Sequence, residues 1–104
     1  MKLLMITSAE DFHKDILRMF KDAGIQNFSE SEIEGYKTIG SMSSSSNWFA
    51  VNKRGTQSNL FFSFTEEENI DLMFQLLKEF NANLKTNNPI RAVVLPIERS
   101  LYEF

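Results

Sequence analysis

Residues 2–24 read KLLMITSAEDFHKDILRMFKDAG, and residues 59–81 read NLFFSFTEEENIDLMFQLLKEFN. Each stretch begins with a short, mainly apolar run and continues into a segment in which apolar residues recur every three or four positions. Such a run is typical of a strand, and the spacing after it is typical of one buried helical face. A shift of 57 positions superimposes the two stretches and pairs Ser8 with Thr65. The near-repeat therefore predicts two strand–helix units in one chain.

Both predicted helices carry sequence signals for where they begin. Ser8 and Asp11 have the spacing of a capping box, and Thr65 and Glu68 repeat that spacing in the second unit. Gly24 is predicted to end the first helix, because glycine adopts a left-handed backbone at little cost. We therefore expect a hydroxyl side chain to cap each helix and the first helix to end at Gly24.

The rest of the chain supplies the remaining strands. Further strand-like stretches lie at residues 25–36, 47–51, 58–65 and 90–97. The turn signal at residues 52–55 predicts a hairpin, and Pro96 predicts that the last strand lies at a sheet edge or carries a bulge. The expected fold is α+β and ferredoxin-like, βαββαβ, with an antiparallel sheet and two helices on one face. Residues 37–58 form an extra loop or hairpin arm between the second and third strands.

This arrangement leaves one face of the sheet without helices. The first strand is apolar at nearly every position, so both of its faces present apolar side chains. A monomer would expose a large apolar patch there, and self-association is the usual way to cover one. We therefore expect an oligomer.

Length and composition narrow the possible functions. The chain has 104 residues, enough for a single domain spanning residues 1–104, and 42% of them are hydrophobic. The net charge is −3 with no basic stripe, so nucleic-acid binding is not expected. Cysteine is absent, which excludes disulfides and thiolate metal sites. No stretch is long and apolar enough for a signal peptide or a membrane span, and the expectation is a cytoplasmic protein without direct membrane insertion.

The sequence contains no pattern typical of a catalytic centre. His13 is the only histidine, and no spacing relates it to possible co-ligands such as Glu10, Asp15 or Met19, so a structural or solvent-exposed role is favoured over a metal site. On a strand, Glu30, Glu32 and Glu34 share one face and are interpreted as a solvated stripe. We expect neither an enzyme nor a bound cofactor or metal.

Two stretches resemble a known family. Residues 24–36, GIQNFSESEIEGY, resemble the second strand of the PII signalling proteins, G-[VI]-x-G-[LM]-T-V-T-E-V-K-G-F. Residues 93–99, VVLPIER, are similar to that family's F-V-x-P-V-E-R. The resemblance implies a non-enzymatic homotrimer whose sheets line an inner barrel and whose small-molecule ligands bind in clefts between subunits. The residues that it assigns to this cleft are Gly35, Tyr36, Lys37 and Arg91.

The same resemblance assigns a role to residues 37–58. They occupy the position of a loop that docks onto a transporter, an enzyme or a regulator in that family, and a membrane transporter is the expected partner here. The predicted partner contacts are Trp48, Phe49, Lys53 and Arg54. Family members that bind ATP carry G-x-x-G-D-G-K before the last strand, whereas residues 86–91 read TNNPIR here. Phosphate binding needs close backbone approach and convergent positive charge, so no nucleotide cofactor is expected.

Two alternative functions use the same fold. A CutA-like trimer, a related fold implicated in divalent-metal tolerance, would bind copper or zinc and lose the metal when His13 is changed. An oligomeric ferredoxin-like monooxygenase is the enzymatic alternative, and the lack of a His or polar pocket constellation disfavours it. The leading hypothesis is a PII-like sensor that binds a small molecule or ion.

Overall fold

The segments with strand-like and helical patterns form a four-stranded sheet and two helices that connect strands of that sheet. The computed structural model describes residues 1–36, 56–84 and 88–102. In chain order the elements are β1 (Lys2–Ala9), a 3-10 turn (Glu10–Phe12), α1 (His13–Asp22), β2 (Ser29–Gly35), β3 (Thr56–Thr65), α2 (Glu67–Ala82) and β4 (Arg91–Pro96). The predicted strand at 47–51, its turn at 52–55 and Lys37 lie outside the described residues. Residues 56–58, predicted as the end of the arm at 37–58, belong to β3.

The strand order is β2-β3-β1-β4, and every neighbouring pair is antiparallel. β1 and β2 are not neighbours in this order and are connected by α1, and β3 and β4 are likewise separated and connected by α2, whereas β2 and β3 are adjacent. This confirms the predicted α+β, ferredoxin-like class with both helices on one face. The prediction that Pro96 marks an edge strand is also confirmed, because β4 pairs only with β1.

The core lies between the helices and one face of the sheet. Its fully buried large apolar side chains are Leu4, Ile6, Ile16, Phe20, Phe61 and Met73. Burying each such side chain contributes roughly 1.5–3 kcal/mol. The two helices also meet directly, where the rings of Phe12 and Phe80 pack edge to face with centroids 5.5 Å apart. Most of the apolar side chains that the spacing predicted for the buried helix faces do face the core, but the prediction is wrong for Phe74 on α2, which is 38% exposed.

Both predicted capping boxes are wrong. Ser8 pairs with Asn59 inside the sheet, and its hydroxyl donates to the Ala9 carbonyl at 3.2 Å. Thr65 likewise pairs with Lys2 at the end of β3. Neither helix has a side-chain cap, and α1 begins only after the 3-10 turn. Both hydroxyl residues belong to strands and are therefore not placed to cap a helix. At the start of α2, the acidic side chains of the first turn interact favourably with the helix dipole instead.

The segment between α1 and β2 is shaped by one glycine and one aromatic stack. Gly24 has a φ of +75° and follows Ala23, the residue that caps the end of α1, so the helix ends where the glycine predicted. The rings of Phe20 and Phe28 then stack with centroids 4.1 Å apart and planes 7° apart. Because residues 25–28 pack against α1 in this way, β2 begins at Ser29 and not at residue 25 as predicted. This packing sets where β2 lies relative to the start of α1.

Candidate functional site

The face of the sheet opposite the helices is apolar. Side chains alternate along β1, so Leu4 and Ile6 enter the core while Leu3 and Met5 point to the other side. In the strand register, Leu3 and Met5 are the middle residues of two rows that cross three strands. The rows are Phe64–Leu3–Leu95 and Phe62–Met5–Val93. We call these six residues the open face. Phe64 and Val93 are each 38% exposed and Leu95 is 40% exposed, so a substantial part of this surface contacts solvent.

The open face becomes polar toward one end. The next row along the strands is Leu60–Thr7–Arg91, in which Thr7 is buried and Arg91 is half-buried. At the apolar end, the rings of Phe62 and Phe64 pack edge to face with centroids 6.3 Å apart. An apolar patch bounded by a polar row is typical of an interaction surface.

The predicted ligand residues lie on opposite edges of the sheet. Gly35 ends β2 and Arg91 begins β4, and these strands are the two outer ones. Three strand spacings and four residues of offset separate the two positions by about 20 Å. One small ligand cannot contact both within one subunit. Tyr36 is exposed next to Gly35, and its hydroxyl donates to Glu34 Oε2 at 3.3 Å.

A second feature lies on the helix side of the sheet, at the β2 edge. It is a cleft of about 700 Å³, and the acidic and polar side chains that line it include Glu10, Asp11, His13, Glu30, Glu32 and Asn59. We call it the β2 cleft. Glu30 and Glu32 pair in register with Phe61 and Asn59 of β3. The prediction that the strand glutamates share one face is therefore confirmed, and that face is the one that also carries the helices.

His13 reaches this cleft from the first turn of α1. Its Nε2 lies 2.5 Å from Glu30 Oε2, and both side chains are 34% exposed. The ring also lies near Phe61, with centroids 5.9 Å apart. Sequence reasoning missed this pair because it looked for partners close to His13 in the chain. The partner is 17 positions away. The signal that could have found it was the strand alternation that turns Glu30 toward the helices.

Asn59 lies at the inner wall of the β2 cleft and lacks one hydrogen bond. The residue is 2% exposed, and its Oδ1 has no hydrogen-bond partner within the described part of the chain. An unsatisfied buried carbonyl of this kind costs about 1–3 kcal/mol, so such groups usually have a partner. Among residues 1–36, 56–84 and 88–102, no three His, Asp or Glu side chains are already grouped as a metal site. In the same ranges, no helix has both the length and the apolar character needed to cross a membrane.

Comparison with known proteins supports the fold. No family model matches the chain, and no curated protein matches it. Among solved structures, it is similar to a DUF3240 family protein from Shewanella baltica OS155, with a TM-score of 0.65 and 15% sequence identity. The match covers 99% of this chain and 96% of that one. At this identity the likeness shows a shared fold and no more, so membership of the PII superfamily stays a prediction.

Proposed function

We propose that this chain is a PII-like regulatory protein without enzymatic activity. It forms a homotrimer, binds a small molecule or ion in the clefts between subunits, and signals to a partner through residues 37–58. The single observation that carries this proposal is the open face, two apolar rows on the side of the sheet that α1 and α2 do not cover. A PII-like trimer would bury this surface in its inner barrel.

The size of the sheet supports self-association. Four strands about 4.8 Å apart and eight residues rising about 3.3 Å each give a footprint of about 500 Å². The accessible area of a corrugated surface exceeds its footprint, so two such faces bury more than about 1,000 Å² together. That is the size at which specific interfaces begin.

The separation of Gly35 from Arg91 supports a ligand site shared between subunits. Contact between the β2 edge of one subunit and the β4 edge of the next would bring Gly35 and Tyr36 close to Arg91. Gly35 has no side chain, so a ligand can approach its backbone closely. The guanidinium of Arg91 would then favour an anionic group. Ligand binding would shift the population of conformations of the segment before β3 in favour of one that presents the partner contacts Trp48, Phe49, Lys53 and Arg54, which lie outside the described residues.

Light scattering coupled to size-exclusion chromatography tests the assembly. The expected mass is three times the chain mass of 12.1 kDa. Phe64→Glu places a charge in the open face and is expected to give a folded monomer, as judged by circular dichroism. Leu72→Glu is the matched control, because Leu72 is 50% exposed on α2, away from the open face. A monomeric wild-type protein, or a Phe64→Glu variant that stays trimeric, would refute assembly through this face.

Scanning calorimetry with nucleotides, anions and divalent metals tests ligand binding. A ligand at 100 times its dissociation constant stabilises the folded state by about 2.7 kcal/mol, a readily measured rise in Tm. We expect such a rise with at least one compound, and for an anion we expect Arg91→Gln to remove it. Arg99→Gln is the control, because Arg99 is exposed beyond β4. Unchanged Tm values across the whole panel would rule out sensing.

One contact favours a second candidate, the CutA-like divalent-metal-binding protein. The only histidine of the chain contacts a carboxylate, with Nε2 of His13 2.5 Å from Glu30 Oε2. Imidazole and carboxylate together are a common ligand pair for divalent transition metals. This candidate predicts copper or zinc binding by an intact trimer and its loss when His13 is replaced.

A further inference from the structure

We infer that the β2 cleft binds a divalent transition-metal cation, with His13 and Glu30 as ligands and the Asn59 amide oxygen as a third. The inference deepens the second candidate function by assigning its ligands. It does not depend on how many subunits assemble. Three independent observations support it: the His13–Glu30 contact, the unsatisfied oxygen of Asn59 and the charge of the cleft.

The first observation is the distance between the two ligand atoms. Tetrahedral zinc with bonds of about 2.0–2.2 Å to nitrogen and oxygen holds such atoms about 3.3 Å apart. His13 Nε2 and Glu30 Oε2 are 2.5 Å apart. The side chains therefore need to separate by about 0.8 Å to admit the ion. Each is about one-third exposed at the mouth of the cleft, so rotation about side-chain bonds can supply this shift without moving the core.

The second observation is Asn59. Its Oδ1 is buried and has no donor within the described residues, and Asn59 pairs directly with Glu32 in the β2–β3 register. A cation in the cleft would supply the positive partner that this oxygen lacks. Oxygen and imidazole donors without sulfur suit Zn²⁺, Co²⁺, Ni²⁺ or Cu²⁺ better than Cu⁺. Because no three-residue His, Asp or Glu cage is preassembled in residues 1–36, 56–84 and 88–102, water completes the coordination.

The third observation is the charge of the lining. Four carboxylates, those of Glu10, Asp11, Glu30 and Glu32, face one cation, Lys14. These five side chains together carry a formal charge of −3, which attracts cations and repels anions. The 3-10 turn that carries Glu10 and Asp11 leads directly into His13, so these carboxylates lie in the same short stretch of chain as the imidazole that contacts Glu30. The cleft is therefore distinct in charge from the Arg91 end of the open face.

Titration of the intact chain with ZnCl₂ tests the assignment. Isothermal calorimetry is expected to show one ion per chain, and the imidazole NMR signals of the only histidine should shift with the same stoichiometry. His13→Ala and Glu30→Gln should each weaken binding at least tenfold. Glu34→Gln is the matched control, because Glu34 lies on the same strand face but outside the lining, and it should bind like wild type.

Two results would overturn the inference: no zinc binding by the wild type, or zinc binding that His13→Ala leaves intact. Light scattering on the same samples separates this inference from the proposed assembly. A trimer that fails to bind zinc refutes the metal site and the second candidate function that it deepens, but it leaves the PII-like trimer standing. A monomer that binds zinc through His13 refutes the trimer and supports the site.

Discussion

The side chain of Asn81 joins the end of α2 to the start of β4. Its Nδ2 donates to the Ile90 carbonyl at 2.9 Å, and its Oδ1 accepts from the Ile90 amide at 2.9 Å. Ile90 is buried and immediately precedes Arg91, the first residue of β4. The pair of bonds thus fixes the entry to an edge strand that pairs with β1 alone and packs Ala92 and Val94 against the core. Asn81→Ala removes both bonds at once.

The cost of this change can be estimated from the two bonds. Each neutral hydrogen bond contributes about 0.5–1.5 kcal/mol net, so losing both lowers the free energy of unfolding by about 2 kcal/mol. In a domain of this size, 1 kcal/mol corresponds to roughly 4–8 °C, which predicts a fall in Tm of roughly 8–16 °C. Asn81→Asp keeps the acceptor for the Ile90 amide but turns a carboxylate oxygen toward the Ile90 carbonyl, and because two acceptors repel, its Tm should also fall below that of wild type.

Thermal unfolding followed by circular dichroism measures the effect. Asn83→Ala is the matched control: Asn83 is exposed two residues further along, and its Nδ2 donates to the Glu79 carbonyl at 3.1 Å. Its Tm should change by less than about 2 °C, because exposed bonds exchange readily with water. Equal Tm values for Asn81→Ala and Asn83→Ala would refute the reasoning that this clamp stabilises the entry to β4.

Two further substitutions test the packing that positions β2. Phe20→Ala removes a fully buried ring stacked on Phe28 and should lower the free energy of unfolding by about 3–5 kcal/mol in urea denaturation, whereas the exposed Leu72→Ala should cost little. Gly24→Ala should cost about 1–2 kcal/mol in the same assay, because φ is +75° and a Cβ would lie 3.1 Å from Asn69 Nδ2. A Phe20→Ala variant as stable as Leu72→Ala, or an unchanged Gly24→Ala variant, would contradict these assignments.

The predicted fold was confirmed whereas the predicted helix starts were wrong, and the difference has a physical reason. The fold class follows from residue spacing over whole segments, and the two strand–helix units each contain many concordant positions. A helix start depends on one or two residues, and Ser8 and Thr65 are equally suited to cap a helix or to extend a strand. Pairing with Asn59 and Lys2 decided for the strand in both cases. That choice involves partners more than 50 positions away.

The sequence likewise predicted some features of the candidate sites and not others. The apolar character of β1 on both faces already predicted a sheet face in need of cover, and the alternation of Glu30, Glu32 and Glu34 predicted a shared side. Neither pattern specifies which side faces the helices, nor that His13 lies across from Glu30. The stacking of Phe20 on Phe28 and the turn at Gly24 fix how the chain returns from α1 to β2. They therefore determine that Glu30 lies next to His13.

The sequence by itself determined the secondary structure units, their order and the excess of apolar surface, because spacing and residue type act locally. The tertiary structure alone decided the register of the strands within the order β2-β3-β1-β4, and with it the neighbours of every side chain on the sheet. That order puts Gly35 and Arg91 on opposite edges and brings His13, Glu30 and Asn59 to one cleft. Contacts of this kind arise from packing across long chain separations, which no local pattern encodes.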